Sequence, residues 1–492
     1  MSHQYIDGQR RAGTSGESAE LIDPSTGASL GAMVNAAPAE VDAAVDAAIR
    51  AFTDWSRATP GDRAAVLSRW SQLLDERAAE FASVESRQAG KPIRLASEFD
   101  VPGTVDNIAF FSGVARNLEG RASAEYSADH TSAIRREPVG VIGSIAPWNY
   151  PLQMAAWKVL PAVAAGNTIV LKPSELTPET SVMFAELATE AGMPAGVVNV
   201  VNGPGASVGQ HLVSHPGVDM VSFTGSTPVG VGIAETAART VKRVHLELGG
   251  KAPMVVHDDA DLEAAAHGAV AGALINAGQD CTAATRAYVQ RPLYDDFVAA
   301  VAALMGGVRL GPTADPSTDM GSLISRAHRD RVAAKVDQAR RDGARVLSGD
   351  AFAGGDLAAG AYYQPTLIVD ADQHSDIVQN EVFGPVLVVL PFDSDAEGIA
   401  LANDTRYGLA ASVWTTNVYR AMAATASIKS GVVWVNDHIP IISEMPHGGV
   451  KQSGFGKDMS QYSFDEYTTV KHVMFDRTGV ARKAWHRTVF GL

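Results

Sequence analysis

The chain of 492 residues contains a single cysteine, Cys281, so an intrachain disulfide is excluded. A chain with one thiol is typical of a reducing compartment, which favours a cytoplasmic location. Basic residues are also scarce, because 40 Lys and Arg stand against 55 Asp and Glu and give a net charge of −15. Nucleic acid and anionic membranes both attract basic surfaces, so the charge argues against either as a partner.

Long apolar runs are absent as well. No stretch of about 18 apolar residues occurs, so no membrane span is predicted. The start of the chain, MSHQYIDGQR, lacks the apolar segment of a signal peptide. Thirteen histidines are scattered without an H-E-x-x-H motif or a paired Cys/His array, so no metal site is predicted. Hydrophobic residues nevertheless make up 46% of the chain, enough for a large core.

The pattern of apolar segments predicts an α/β fold. Helices are expected from about Ala39, over 62–89 and over 103–117. After residue 139 short apolar runs alternate with helical stretches, which is typical of a parallel sheet covered by helices on both faces. The strands predicted for this region are Val141–Ala146, Thr168–Leu171, Val197–Val201, Met220–Phe223 and Val244–Leu248. A second alternating region, 252–445, includes the predicted strands Pro253–Val256, Val386–Leu390 and Val432–Val435.

Three residues have the chemistry of an acyl-transfer site. Cys281 lies in GQDCTAA, where small neighbours permit close approach to the thiol, although a lone cysteine is often only a small buried hydrophobe. Glu247 follows an apolar strand, where partial burial would raise its pKa toward that of a general base. Its alternative is an ion pair with Lys251 or Arg243. Asn149, in PWNYP, has a side-chain amide suited to an oxyanion, or else bonds only its own turn.

Two further segments suit a dinucleotide. Lys172 and Glu175 directly follow a predicted strand, where a lysine and an acid can bind a ribose and the acid would repel a 2′-phosphate. Gly225 and Gly230 bracket a predicted strand-to-helix turn whose free backbone N–H groups would attract phosphate. Their spacing departs from G-x-G-x-x-G, so the usual dinucleotide fingerprint is not met.

Taken together, these segments resemble the NAD(P)-dependent aldehyde dehydrogenase superfamily, from about residue 5 to 474. The motifs occur in the family's order: PWNYP at 147–151, KPSE at 172–175, FTGST at 223–227, LELGGK at 246–251, GQDC at 278–281, EVFGP at 381–385 and SGFGK at 453–457. The resemblance implies two doubly wound α/β domains, one Rossmann-like and NAD-binding and one catalytic, with a small β oligomerisation arm. It implies an NAD-binding domain at 1–119 and 139–249, a catalytic domain at 250–445, and an arm and C-terminal segment at 120–138 and 446–492.

The resemblance also implies residue roles. Cys281 would be the nucleophile, Glu247 the base for the deacylating water, Asn149 part of the oxyanion hole, and Lys158 part of a proton path. NAD is the implied cofactor. The residues implied to bind it are Trp148, Lys172, Glu175, Gly225, Ser226, Gly230, Leu248, Glu381 and Phe383. One departure is Asp458, which stands where the family often has glutamate and is one methylene shorter, so a relay through this position is in doubt.

Two stretches narrow the expected substrate. SEMPHGG at 443–449 and GKDMSQY at 456–462 resemble bacterial γ-aminobutyraldehyde dehydrogenases, which oxidise ω-aminoaldehydes of the 4-aminobutanal type in polyamine catabolism. Asp100 and Asp106 are candidate partners for the substrate ammonium, and Trp157 and Trp434 are candidate aromatic walls. The alternatives are a solvated helix face for the aspartates and core packing for Trp434.

The remaining alternatives concern activity and assembly. A betaine aldehyde dehydrogenase or a broad-specificity aldehyde dehydrogenase would share the same motifs. A CoA-acylating enzyme is disfavoured because it needs no hydrolytic base, and a non-catalytic binding role is disfavoured by the intact Cys281, Glu247 and Asn149. The resemblance further implies a homodimer or homotetramer joined through strands near 120–138 and 465–475.

Overall fold

The computed structural model describes residues 4–349 and 351–491. Met1–His3 of the polar start, Asp350 and Leu492 lie outside the described residues. The predicted α/β class is confirmed, because helices alternate with strands of two mainly parallel sheets. Among the described helices, none combines the length and the apolar character needed to cross a membrane.

The described strands are short and number twenty. They are β1 Gln4–Ile6, β2 Gln9–Arg11, β3 Ser18–Ile22, β4 Ser29–Val34, β5 Ala124–Ser127, β6 His130–Pro138, β7 Val141–Ile145, β8 Thr168–Lys172, β9 Val198–Val200, β10 Met220–Thr224, β11 Arg243–Glu247, β12 Ala252–Val256, β13 Ala284–Gln290, β14 Arg345–Ser348, β15 Thr366–Val369, β16 Val386–Phe392, β17 Ala410–Trp414, β18 Val432–Val435, β19 Gly454–Phe455 and β20 Thr468–Asp476.

The described α-helices number seventeen and vary from a single turn to five turns. They are α1 Pro38–Trp55, α2 Pro60–Glu76, α3 Ala78–Ala89, α4 Ile93–Leu95, α5 Val101–Val114, α6 Pro151–Ala164, α7 Glu179–Glu190, α8 Gln210–Ser214, α9 Thr227–Ala238, α10 Leu262–Leu274, α11 Arg291–Gly306, α12 Arg326–Arg341, α13 Asp376–Gln379, α14 Asp395–Asn403, α15 Val418–Ser427, α16 Ser460–Glu466 and α17 Arg487–Phe490.

The first sheet has the order β19-β11-β10-β7-β8-β9-β1-β2. Its five central strands, β11 to β9, pair in parallel, and the outer strands pair antiparallel. The predicted strands of this region agree with the observed ones to within one residue at each end. Near-continuous apolar runs such as Thr168–Leu171 are buried throughout, as expected for strands covered on both faces.

The second sheet has the order β14-β15-β16-β13-β12-β17-β18, parallel except at its β14 edge. A third, antiparallel sheet of β20, β6 and β5 corresponds to the predicted arm, with Thr468 opposite Pro138 and Asp476 opposite His130. The segment 446–492 does more than complete this arm. Its Gly454–Phe455 strand also extends the first sheet beside β11, which brings the motif at 453–457 next to Glu247.

One helix prediction is wrong in extent. Residues 62–89 were expected as a single helix, but the chain forms α2 and α3 with a break at Arg77. Arg77 has φ −109° and ψ 16°, outside helical geometry, and pairs with Glu80 of the second helix. The apolar periodicity continues across the break because both helices bury residues in one core, so the pattern alone does not reveal it.

Candidate active site

One cavity lies at the carboxyl ends of β7, β10 and β11 and holds most of the predicted site residues. Its lining includes four segments at or near strand ends: 147–150 after β7, 224–226 at the end of β10, 248–249 after β11, and 280–282 just before β13. Ligands of doubly wound α/β proteins bind at such strand ends. The topology therefore explains why motifs more than 100 residues apart in sequence meet at one place.

Cys281 lies in this cavity and is half-buried. The turn that precedes it is unusual, because Asn276 and Ala277 both have left-handed backbone angles, with φ of 49° and 55°. Such angles are uncommon for non-glycine residues and occur often at functional sites. The side chain of Asn276 holds the turn in place by donating to the carbonyl oxygen of Asn149 at 2.8 Å.

The surroundings of Cys281 disfavour its thiolate. Burial raises the pKa of the Cys281 thiol well above its ordinary value, and the negative charges of Asp280, Glu247 and Glu381 raise it further. A thiolate is the reactive form of cysteine. In this arrangement the thiol holds its proton at neutral pH, so a reaction at Cys281 needs a neighbouring group to take that proton.

Asn149 lines the same cavity directly after β7. Its Nδ2 donates to the carbonyl oxygen of Gln279 at 3.0 Å, which fixes the plane of the amide two residues before the cysteine. A primary amide has two N–H donors, so one remains for a ligand in the cavity. The arrangement fits a preorganised donor of the oxyanion-hole type.

Glu247 is buried at the end of β11, but it does not line the cavity. Its carboxylate faces His245 and Asp458, with 3.9 Å between Glu247 Oε1 and His245 Nε2. His447 does line the cavity, and its Nδ1 lies 3.7 Å from Glu247 Oε2. Burial raises the pKa of Glu247 well above its usual range, and the charge of Asp458 adds to this increase.

Lys158 and Asp458 form a fully buried ion pair behind Glu247. Lys158 Nζ lies 2.7 Å from Asp458 Oδ2, and neither side chain is exposed. The shorter side chain of Asp458 therefore still reaches the lysine, which removes the main doubt raised by the sequence. The pair joins α6 to a segment 300 residues later and lies next to Glu247.

The adenosine side of the predicted cofactor site begins at the end of β8. Lys172 is buried, and its Nζ donates to the carbonyl oxygen of Pro173 at 2.9 Å and to Glu175 Oε2 at 3.3 Å. The side chain of Glu175 is 38% exposed, which leaves its carboxylate accessible to a ligand. A half-exposed acid beside a lysine suits the hydroxyls of a ribose.

The helix start of α9 forms the next part of this site. Ser226 precedes the helix with extended backbone angles, and its side chain makes no capping hydrogen bond to the helix. This side chain therefore leaves the first N–H groups of α9 uncapped. A phosphate site at a helix start needs such free N–H groups. Gly230 allows the helix to approach the strand, because a Cβ there would lie 2.5 Å from Leu248 Cδ2.

Glu381, Phe383 and Trp148 line the cavity between this helix and Cys281. Glu381 Oε1 accepts from the backbone N–H of Gly250 at 3.0 Å, and burial raises the pKa of Glu381 to about 7. The rings of Trp148 and Phe383 meet edge to face, with centroids 5.3 Å apart. The described residues thus offer a hydroxyl-binding acid and an aromatic wall on the side of the cavity that faces the predicted cofactor.

Comparison with known proteins gives a consistent picture. Residues 11–473 match the aldehyde dehydrogenase family. The chain belongs to the aldehyde dehydrogenase family. The betaine aldehyde dehydrogenase of Staphylococcus aureus, solved with NAD⁺, is 36% identical, covers 98% of this chain and 96% of its own, and superposes with a TM-score of 0.95.

Two other solved structures are similar over nearly their full length. The aldehyde dehydrogenase of Bacillus cereus, solved as an NAD⁺ complex, is 39% identical over 97% of this chain and 96% of its own, with a TM-score of 0.94. PnpE from Pseudomonas sp. WBC-3 is 39% identical over 99% of this chain and 100% of its own, with a TM-score of 0.96. The protein is an NAD-dependent oxidoreductase of this family.

The substrate side of this aldehyde dehydrogenase corrects two predictions. Asp100 does not reach the cavity, because it is fully buried and its Oδ2 accepts a hydrogen bond from Lys91 at 2.6 Å. Asp106 is exposed on α5, does not line the cavity, and accepts from the hydroxyl of Ser443 at 2.5 Å. Both carboxylates are already bonded, that of Asp100 to Lys91 nine residues earlier and that of Asp106 to Ser443 on a distant segment.

The two predicted tryptophans differ. Trp157 is buried and lines the cavity, and its indole N–H donates to Asn107 Oδ1 at 2.7 Å. Trp434 is half-buried and lies outside the cavity lining, because its ring packs on His438 at 4.8 Å and its N–H donates to the carbonyl oxygen of Pro440. The prediction of an aromatic wall therefore agrees with the lining at Trp157 and disagrees at Trp434.

Asp280 lines the cavity beside the cysteine, a position that no motif predicted. Its Oδ2 accepts from the Tyr150 hydroxyl at 2.8 Å, and its Oδ1 accepts from the backbone N–H and hydroxyl of Thr282, both at 2.7 Å. The signal was present in GQDC, where the acid immediately precedes the cysteine. Without the fold, however, the direction of this side chain could not be known.

Proposed function

We propose that this aldehyde dehydrogenase oxidises an ω-aminoaldehyde, of the 4-aminobutanal type, to the corresponding carboxylate with NAD. The single observation that carries the proposal is an acidic side chain, Asp280, in a cavity otherwise rich in aromatic and apolar groups. The aromatic members of that lining include Phe99, Tyr150 and Trp157. A carboxylate and ring faces are the groups that attract an ammonium ion inside an apolar cavity.

The first chemical step concerns Cys281. The thiol gives its proton to a neighbouring water molecule and its sulfur adds to the aldehyde carbon, which gives an alkoxide on the former carbonyl oxygen. The free N–H of Asn149 and the backbone N–H of Cys281 are the donors proposed for that alkoxide. A donor of this kind contributes about 3–4 kcal/mol to a transition state when it is preorganised. A covalent intermediate divides one difficult reaction into two easier ones.

The residues proposed to hold NAD lie partly in this cavity and partly beyond it, at the end of β8. Lys172 and Glu175 would bind the adenosine ribose, the start of α9 at Ser226 the pyrophosphate, and Glu381 the nicotinamide ribose, with Phe383 and Trp148 beside the ring. Leu248, Gly225 and Gly230 shape the strand-to-helix turn next to them. When bound, NAD supplies the acceptor for the hydride that leaves the substrate carbon. The residues present are those that such a dinucleotide needs.

Hydrolysis of the resulting thioester on Cys281 is assigned to Glu247. Burial raises its pKa well above the usual range, which makes this carboxylate a stronger proton acceptor than an ordinary glutamate. Because the carboxylate faces His245 and Asp458 in this structure, the role requires rotation of the side chain past His447 toward the cavity. The Lys158–Asp458 pair lies where the collected proton would leave.

A betaine aldehyde oxidiser is the second candidate, favoured by the similarity to the Staphylococcus aureus enzyme. A quaternary ammonium ion cannot donate hydrogen bonds, whereas a primary ammonium ion has three donors. Asp280 and the buried amide of Gln153 both line the cavity and offer acceptors, which favours the primary amine. A broad-specificity enzyme would not need a carboxylate at this place.

We also propose that the enzyme is a homo-oligomer, a dimer or a pair of dimers. The supporting feature is the three-stranded arm, which exposes Val470, Met474 and Phe475 on β20. Exposed apolar side chains on a projecting sheet favour pairing with a second copy. Sedimentation or mass photometry distinguishes monomer, dimer and tetramer.

The test compares aldehydes that differ only in charge. Pentanal has a methyl group where 4-aminobutanal has its ammonium, so the ratio of their kcat/KM values isolates the charge. We expect 4-aminobutanal to be preferred at least tenfold, and betaine aldehyde to be a weaker substrate. Asp280→Asn should lower this ratio at least tenfold, a loss of about 1.4 kcal/mol. Asp106→Asn, outside the cavity, is the matched control. Equal kcat/KM values for both aldehydes in the natural enzyme would refute the proposal.

A further inference from the structure

Three buried polar side chains, one of them that of Glu247, face one another across a small gap. They are His245, Glu247 and Asp458. His245 Nε2 lies 3.9 Å from Glu247 Oε1 and 3.8 Å from Asp458 Oδ1. These three atoms have no hydrogen-bond partner in the described part of the chain. Buried polar atoms in folded proteins are almost always hydrogen-bonded, directly or through water.

The separations fit a single bridging water. The three atoms lie within 4.8 Å of one another, too far apart for direct hydrogen bonds. The point equidistant from them in their common plane is about 2.5 Å from each. A water about 1 Å out of this plane would lie about 2.7 Å from each, which is a normal hydrogen-bond length. Three polar partners are also the usual number for a buried water.

The local charge favours water over a metal ion. Lys158 Nζ, 2.7 Å from Asp458 Oδ2, already supplies a positive charge to this cluster. The ammonium of Lys457 is bonded to the nearby carbonyl oxygen of Gly448 and adds a second positive charge. A divalent cation beside two ammonium groups would be strongly repelled.

The imidazole of His245 is held in one orientation. Its Nδ1 lies 3.2 Å from the hydroxyl oxygen of Ser222 on the neighbouring strand. Burial lowers the pKa of His245 well below its usual value, and the charges of Lys158 and Lys457 lower it further, so the ring is neutral. A neutral imidazole carries one N–H. We assign this N–H to Nε2, where it points into the gap, with the Ser222 hydroxyl donating to Nδ1.

We propose that His245 is a positioning residue for thioester hydrolysis: its Nε2–H orients a water that bridges Glu247 and Asp458. The hydrolytic water gives one proton to Glu247, Glu247 gives one proton to the bridging water, and this water gives one to Asp458 beside Lys158. No electrons are transferred, and each group regains its starting proton count when the proton leaves. The inference rests on the proposed role of Glu247 as base.

Several other titratable groups surround the cluster and contribute to its pH dependence. They are Lys158 on α6, His447, Lys457 and Asp458 on the segment before α16, Glu466 on α16, and Tyr467 after it. Burial raises the pKa of Glu466 to about 7 and lowers that of His447 to about 4. A shift caused by His245 must therefore be measured as a difference between variants.

The experiment compares two substitutions at one position in the full-length enzyme with NAD. His245→Asn retains a polar group near Ser222 but does not reach the gap, whereas His245→Gln places an amide near the former Nε2. We expect His245→Asn to lower kcat roughly tenfold. The pre-steady-state burst of NADH should persist, because acylation does not use this cluster. The apparent pKa of kcat should move upward, because an N–H dipole no longer favours the Glu247 carboxylate. His245→Gln should restore most of kcat and the pH profile.

His374→Asn, on an exposed histidine, is the control substitution. Unchanged kcat in His245→Asn would overturn the proposal, and so would equal losses in both variants with an unshifted pH profile. Stoichiometric divalent metal in the purified enzyme, with loss of kcat on chelation, would overturn it in favour of a metal site. If Glu247→Gln retains normal turnover, the base assignment fails instead, which separates the two hypotheses.

Discussion

Two buried lysines, Lys91 and Lys158, each pair with an aspartate at hydrogen-bond distance and face a glutamate. Lys91 Nζ lies 2.6 Å from Asp100 and 3.7 Å from Glu85, and it stands 4.2 Å above the ring of Tyr150. Lys158 Nζ lies 2.7 Å from Asp458. All these charged side chains are completely buried.

The two clusters differ in the hydrogen bonds that their glutamates accept. Glu85 accepts from the backbone N–H of Leu152 and from the hydroxyl of Thr180, so both of its oxygens are occupied. Glu247 Oε1 has no such partner among the described residues, and Asp458 Oδ1 and His245 Nε2 share this condition. Asp100 Oδ1 also lacks a partner among the described residues, so the clusters differ at their glutamates. A fully bonded glutamate holds its neighbours in one arrangement, whereas an unbonded one next to a cavity is suited to moving protons. From this comparison we infer that the Lys91 cluster stabilises the fold and that the Lys158 cluster takes part in the reaction.

The largest expected effect tests the chemical cluster. Glu247→Gln should lower steady-state turnover about 10²–10⁴-fold, because the thioester on Cys281 then lacks its base. The neutral amide removes a buried acid, so the unfolding temperature should not fall. Steady-state NADH production and a thermal melt measure the two quantities. A large drop in the melting temperature would show that Glu247 is structural, like Glu85.

Substitution in the Lys91 cluster should lower the stability of the fold, in contrast to substitution of Glu247. Lys91→Ala leaves Asp100 and Glu85 buried without their cation, and we expect a loss of roughly 3–5 kcal/mol in the free energy of unfolding. Denaturant titration measures the loss. Lys91→Met, which keeps the side-chain volume, separates the charge from the cavity. Unchanged stability in both variants would remove the distinction between the clusters.

The pH dependence of turnover sharpens the same comparison. The pKa of Glu247 is raised, mainly by burial, so its base form is populated only above that raised pKa. The raised pKa of the Cys281 thiol acts in the same direction. We therefore expect kcat to rise with pH, by up to about tenfold per unit below the controlling pKa, and to level off above it. A kcat that is flat down to pH 5 would contradict both assignments.

A third lysine–carboxylate pair, Lys172 with Glu175, is exposed only at its glutamate and should show the smallest effect. Glu175 would accept the ribose 2′-hydroxyl of NAD and repel a 2′-phosphate. Glu175→Ala should therefore raise kcat/KM for NADP relative to NAD, by roughly tenfold. The natural enzyme should prefer NAD. A preference for NADP in the natural enzyme would overturn this assignment.

Much of the fold could be predicted because its signals are local. The central strands of the first sheet agree closely with their apolar runs, and the parallel arrangement follows from their burial on both faces. The break between α2 and α3 was missed because both helices pack into one core. The pairing of Gly454–Phe455 with β11 was missed because two residues make no recognisable strand pattern.

The site was predictable where a motif places a side chain at a strand end. Cys281 and Asn149 line the cavity as expected, as do the cofactor-side residues Ser226, Glu381 and Phe383. Asp100 could not be placed, because its partner Lys91 approaches only in the folded chain. Asp280 and His245 lie inside recognised motifs, but the importance of each depends on contacts that sequence spacing does not show.

The most direct test of the account is mass spectrometry of Glu247→Gln mixed with NAD and 4-aminobutanal. The account predicts that the acyl group accumulates on the peptide containing Cys281, with one NADH formed per active site before turnover slows. Cys281→Ala, treated identically, should bind NAD but form neither adduct nor NADH. Sustained NADH production by Cys281→Ala, or an adduct on any other residue, would contradict the central claim that Cys281 carries the substrate.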